Sequence, residues 1–221
     1  LSSGKVEVKY MTAKEEDILT SQNLIQQGVV IETLLQSLIV DKTINIHDLL
    51  IGDKNAIMVA ARILGYGKDY KFEYEGEEQE VDLSQLNPIP IDFKKLQKGV
   101  NEFSFKLPYS KRTITFKLLN GHDERKINAE VKAKQKISKV TSSELTTRFK
   151  HMIKSIDGNS EISVINNFVD NEFLSRDSLA FRQYLTEITP DIDMSTDVID
   201  KTGKEIEVTI PVTVRFFWPT T

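Results

Sequence analysis

The sequence predicts an α+β fold: helices packed on antiparallel β-hairpins, with a hairpin at the C-terminal end. Three observations carry this. Short runs of alternating apolar and polar residues come in pairs across turn residues, at 70–83, at 103–118 and on either side of 201–203. Apolar stripes at i, i+3, i+4, i+7 mark helices before and between them. No similarity at a spacing of roughly 20 to 50 residues is visible, which excludes a solenoid.

The elements follow in order. Lys5 to Tyr10 alternates through Val6, Val8 and Tyr10 and reads as a strand. Thr12 stands three residues before Glu15, the spacing of a capping box, and Glu15, Glu16 and Asp17 suit the positive end of a helix. Gly28 to Val40 carries the stripe Ile31, Leu34, Leu35, Leu38 and reads as one helix. Asp41 to Ile51 connects it to a third helix. Asp53 caps that helix, which is apolar nearly all round and hence central, and Gly65 stops it.

Tyr70 to Leu83 reads as a hairpin turning at Glu75-Gly76-Glu77-Glu78. Asn87-Pro88-Ile89-Pro90 is the clearest break in the chain. Phe103, Phe105, Leu107 and Ile114, Phe116, Leu118 form the arms of a second hairpin. Gly121 to about Ile137 is a long polar helix with a thin apolar line at Ile127 and Val131. Ser142 or Ser143 caps the next, with Leu145, Phe149, Met152 and Ile153 inward. After a turn at Asp157-Gly158-Asn159 come two shorter helices, near 161–169 and 176–188. The last strand alternates from Ile206 to Phe216, with Pro211 favouring an edge or a bulge. The expected organisation is 1–83, a linker within 84–100, and 101–221, with one single domain as the alternative.

Composition narrows the function classes. The 221 residues are 39% hydrophobic and 28% charged, which is globular. A net charge of −4 argues against whole-chain nucleic-acid binding. No apolar run approaches the ~18 residues of a membrane span, and no secretory signal is read at the start. Cysteine is absent, so disulfides, thiolate nucleophiles and Cys-based zinc sites are excluded. This fits a reducing cytoplasm.

No constellation has the layout of a catalytic site. His47, His122 and His151 fall in different predicted elements, so no metal or other cofactor is expected. Gly65-Tyr66-Gly67 follows a helix rather than a strand and lacks the dinucleotide context. Glu15, Glu16 and Asp17 are expected on an exposed first turn, the wrong place for a proton-transfer carboxylate. The acids between Glu73 and Glu80 read as a solvated hairpin.

Residues 125–139 carry Arg125, Lys126, Lys132, Lys134, Lys136 and Lys139 against one acid, Glu130. A solvated face is the first reading, a protein-docking face using Lys132 and Lys136 the second, nucleic acid the third. No aromatic residue is interleaved for base stacking. The ending Phe216-Phe217-Trp218 puts aromatics on both faces of a strand. Coverage on both sides is the stronger reading, and an exposed anchor at Phe217 and Trp218 the alternative.

Met11 to Leu19 (Met-Thr-Ala-Lys-Glu-Glu-Asp-Ile-Leu), read with Gly52 to Gly67, resembles the baseplate hub assembly proteins of T-even-type contractile-tailed bacteriophages. Ser142 to Met152, Asn167 to Arg182, Pro190-Asp191-Ile192-Asp193 and Phe216-Phe217-Trp218-Pro219 extend the resemblance along nearly the whole chain. It implies a structural component or assembly factor of the tail baseplate hub, located in the virion and, during assembly, in the host cytoplasm. It implies no enzyme activity. The implied partners are other baseplate proteins and copies of the chain in a ring. A ring requires two different self-contact surfaces, and no sequence pattern marks them. Relatives often carry cysteine pairs in the hairpins; here Glu75-Gly76-Glu77 and Lys201-Thr202-Gly203 occupy those turns, so the hairpins must hold by packing alone. The expected partner-binding residues are Met11, Glu15, Glu16, Leu19, Lys132, Lys136, Phe217 and Trp218.

Overall fold

The structure is a computed structural model that describes residues 5–92, 95–97, 99–137 and 143–217. Its helices are α1 (Ala13–Thr20), α2 (Gln22–Gln27), α3 (Val30–Leu38), α4 (Ile51–Tyr66), α5 (Gly121–Ile137), α6 (Glu144–Met152), α7 (Ile162–Asn167) and α8 (Ser175–Ile188). Its strands are β1 (Asp69–Tyr74), β2 (Glu77–Asp82), β3 (Phe103–Lys106), β4 (Thr113–Phe116), β5 (Ile153–Ile156), β6 (Ser195–Ile199) and β7 (Glu205–Thr209). They form three small antiparallel sheets, β1-β2, β3-β4-β5 and β6-β7. The fold is therefore α+β, ending in a C-terminal hairpin.

The described chain divides into two compact units that interleave in sequence. One holds His47–Ile51 and Pro90–Thr189; the other holds Lys5–Ile46, Gly52–Ile89 and residues 190–217. One crossing falls inside the Pro-rich break, between Ile89 and Pro90. No linear boundary at 84–100 describes this arrangement, because the C-terminal segment returns to the N-terminal unit. Backbone bonds carry the return: Ile89 N–H donates to the Asp191 carbonyl at 2.9 Å, and Asp193 N–H to the Asn87 carbonyl at 2.9 Å.

In the N-terminal unit, the expected strand at 5–10 is reduced to a single bridge between Val8 and Ile39, and Tyr10 is exposed. The expected helix over 28–40 is α3, and a short helix, α2, precedes it. Gly28, at φ +71°, ends α2 in the left-handed conformation that glycine takes without a Cβ penalty. The predicted stripe is sound, with Leu34, Leu35 and Leu38 fully buried. Helix α4 starts two residues before Asp53, and Gly52 in its first turn presses on the Pro190 carbonyl: a Cβ there would lie 1.8 Å from its oxygen. Gly65 stays inside this helix, and Gly67, at φ +82°, follows its end instead. Buried Arg62 closes that end by donating to the Gly67 and Asp69 carbonyls at 2.8 and 3.1 Å. The C-terminal strand stops at Thr209, before Pro211, and 214–216 form a 3₁₀ turn.

The other unit is built on β3-β4-β5. Its core holds Phe116, Phe149, Phe168 and Phe181, with Phe116 and Phe181 edge-to-face at 4.8 Å. Strand β5 occupies residues expected as the end of a helix. Helix α6 stops at Met152, and Ile153 continues as a strand pairing with β4. Leu145, expected inward, is exposed. Helix α5 has the expected bounds and buries Ile127 and Val131.

Candidate interaction surfaces

The Met11 to Leu19 segment is a built corner, and it faces inward. Glu15 is 2% exposed. Its carboxylate accepts from Lys9 Nζ at 2.6 Å, from the Thr12 hydroxyl at 2.5 Å and from the Thr12 N–H at 3.0 Å. The last of these is the reach-back half of the expected capping box. The Lys9 ammonium, then the Thr12 hydroxyl, hold the Glu15 carboxyl down at about 2. Glu16 accepts from the Tyr66 hydroxyl at 2.9 Å. Burial, then this bond, push the Tyr66 phenol up to about 12. Leu19 is buried, and half-buried Met11 lies against Gly65, where a Cβ would stand 2.6 Å from its Cε.

These contacts correct two expectations. The first turn of α1 is not an exposed acidic surface, and Glu15 and Leu19 are unavailable to a partner. The capping-box spacing placed Glu15 in the first turn of a helix; it could not say that Lys9, from the preceding extended segment, would fold back onto it.

Phe217 is fully buried and packs edge-to-face on Phe216 at 5.1 Å; Phe216 in turn meets Tyr70 at 4.9 Å. Coverage is thus the correct reading for Phe217, which belongs to the core rather than to an exposed anchor. Trp218, Pro219, Lys139 and Ser142 lie outside the described residues, and Ser143 stands at the N-cap of α6.

The basic face of α5 is a surface. Arg125, Lys126, Lys132 and Lys136 are exposed. The acids of the same helix are engaged elsewhere. Asp123 pairs with Lys117 at 2.6 Å, Glu124 with Arg148 at 2.6 Å, and Glu130 with Lys134 at 2.6 Å and His151 at 2.9 Å. Glu130, the one acid counted against the basic run, therefore does not neutralise Lys132 or Lys136. Neither lysine makes an ion pair among the described residues.

The histidines are not all apart. The 47–51 segment pairs with the start of α5, through Gly121 N–H to the Leu49 carbonyl and His122 N–H to the His47 carbonyl. This brings the His47 and His122 rings to 5.4 Å, with Asp48 Oδ1 3.0 Å from His122 Nε2. Among the described residues, no group of three or more His, Asp or Glu side chains is placed to hold a metal ion, and no helix is long and apolar enough to cross a membrane.

One buried carboxylate escaped the sequence reading. Asp177, in the first turn of α8, is fully buried and accepts from the Tyr109 and Ser110 amides at 2.8 and 2.9 Å. Burial would raise its carboxyl, but the Ser110 and Tyr109 hydrogen bonds outweigh that and hold it below the usual range. The N-terminal unit also has a cavity of about 490 Å³ lined by Met58, Ile192, Met194, Ile210 and Val212. The polar groups at its edge bond to one another, Asn55 Nδ2 donating to Asp191 Oδ1 at 2.9 Å.

No protein-family model matches the sequence, and no curated protein or solved structure matches it.

Proposed function

We propose that this chain is a structural component or assembly factor of the baseplate hub of a contractile-tailed phage, acting through protein–protein contacts and not through catalysis. One observation supports the reading above others. The two segments that carry the resemblance, Met11 to Leu19 and Gly52 to Gly67, pack together. Met11 fills the space over Gly65, and Tyr66 donates to Glu16. The residues that carry the resemblance in sequence thus meet at one structural joint. With Glu15, Leu19 and Phe217 in the interior, the partner contacts fall to exposed groups such as Lys132 and Lys136.

The test is a mass-spectrometric inventory of purified phage particles beside infected-cell lysate. A fixed ratio to baseplate proteins in particles supports a component; presence in lysate, bound to baseplate precursors, supports an assembly factor. Association with neither would end the proposal. The exposed cations of α5 favour a second reading, a nucleic-acid-binding module. It requires affinity for a DNA fragment that falls steeply with salt.

A further inference from the structure

We infer that the basic face of α5 is a docking surface for a second copy of this chain, and that its counterpart is the outer face of the β1-β2 hairpin. The inference stands on charge and placement and does not rest on the baseplate reading.

The basic side is specific in shape. Arg125, Lys132 and Lys136 lie at i, i+7 and i+11, so they form one stripe about 16 Å long. Exposed Ala129 and Ala133 lie beside and between them, which leaves the stripe low enough for an extended ribbon to approach. The helix's own acids are spent on Lys117, Arg148, Lys134 and His151, as shown above.

The acidic side has the opposite balance. The β1-β2 register pairs Lys71 with Glu80 and Glu73 with Glu78. These four side chains share the face opposite buried Tyr70 and Phe72. Of its three glutamates only Glu78 is neutralised, by Lys71 at 2.8 Å. Glu73 and Glu80, with Glu75 and Glu77 at the turn, make no ion pair among the described residues, although all are exposed. Like charges set directly across a ladder oppose its pairing. Glu78 to Asp82 run along β2 for about 14 Å, close to the length of the stripe; Glu78 and Asp82 already pair with Lys71 and Lys68, so the stripe meets Glu80 and, on the neighbouring strand, Glu73.

The two faces differ, so each contact joins the helix of one copy to the hairpin of another: made reciprocally it closes a pair, and made successively it builds a ring or an open chain. Exposed ion pairs are individually weak and screened by salt, so the association is of low affinity and is lost at high ionic strength.

Sedimentation velocity across a concentration series, at roughly 50 mM and roughly 500 mM salt, tests this on the full chain. Wild type is expected to form dimers or larger species at low salt and to return to monomer at high salt. Lys132→Glu with Lys136→Glu, and separately Glu73→Lys with Glu80→Lys, should each abolish association. All four sites are exposed, and circular dichroism checks that each variant is folded. A variant that unfolds is replaced by its neutral counterpart (Gln at the same positions), expected to weaken association about tenfold. Mixing the two reversed variants should restore association in alternating copies. The reversed helix then meets the reversed hairpin, and the two unreversed faces still match. A monomer at every concentration and low salt, association insensitive to either pair of substitutions, or loss of Lys132 and Lys136 affecting only nucleic-acid binding would each overturn the inference.

Discussion

The hairpins β1-β2 and β3-β4 begin from similar sequence and end in different surroundings. Both alternate, and both bury one aromatic-bearing face. β3-β4 takes on β5 at the edge of β4 and covers Phe116 with Phe103, Phe181 and Tyr184. β1-β2 remains two-stranded. Its inner face is held by Phe216 against Tyr70, by the Tyr70 hydroxyl on the Pro211 carbonyl at 3.1 Å, and by Arg62 over the Tyr70 ring. A lone two-stranded ribbon is marginal in water, so β1-β2 depends on the returning C-terminal segment. Alternation dictates which face of a hairpin is buried. It does not dictate how many strands will join it or what will cover it.

The largest expected effect probes that contrast. Phe116→Ala removes a fully buried ring with three aromatic neighbours and should cost about 4 kcal/mol. Phe72→Ala, in the less enclosed hairpin, should cost less, about 3 kcal/mol. Urea unfolding of both variants measures the difference. An equal or larger loss at Phe72 would mean that the two hairpins are equally enclosed.

The next effect contrasts two carboxylates held low. Asp177 supports the β3-β4 turn from inside. Asp82 ends β2 at the surface, where the Lys68 ammonium, then the Ser84 hydroxyl, hold it down at about 2. Asp177→Asn sets an amide against two backbone donors and should cost about 3 kcal/mol near neutral pH. Asp82→Asn should cost far less, because an exposed ion pair contributes little. The sign follows from the depressed folded-state value. The stabilisation by ionised Asp177 is complete above the ordinary aspartate value of 3.8 and fades as pH falls through the lower folded one. The gap between wild type and Asp177→Asn should therefore narrow in acid, read by denaturation at a series of pH values. A constant gap would assign the cost to packing rather than to charge.

The same contrast explains what was legible. Helix α5, the two central hairpins and the stripe at Leu34, Leu35 and Leu38 follow from local period and turn chemistry. β5 was illegible because Met152 and Ile153 fit a helix stripe equally well; only the free edge of β4 decides for a strand. The inward turn of Glu15 and the burial of Phe217 depend on Lys9 and on Phe216 against Tyr70, which reach them through tertiary folding. The basic stripe was legible as a run of charge. Its lack of neutralisation was not, since Glu130 looks like a neighbour in sequence and faces His151 in space.

The turn of β1-β2 gives a smaller effect. Glu75 and Gly76 both have positive φ, +50° and +85°, the pattern of a type I′ turn. Gly76→Ala should cost about 1 kcal/mol, and thermal melts should resolve it. No loss would mean that the turn can relax to another type.

The smallest effect isolates charge on the outer face. Glu73 stands directly across from Glu78, whose exposed ion pair with Lys71 offsets the repulsion only in part, so Glu73→Gln should stabilise the hairpin by a few tenths of a kcal/mol at low salt. Gln and Glu differ little in strand preference and size, so the gain is nearly all electrostatic. Salt screens such a term with a Debye length of about 3 Å at 1 M, and the gain should then vanish. Measured below the concentration at which copies associate, a gain that survives in salt would trace to local preference, leaving the acidic face without a repulsion for any partner to relieve. A gain that disappears would show that the free hairpin carries an electrostatic cost that its own fold leaves unmet.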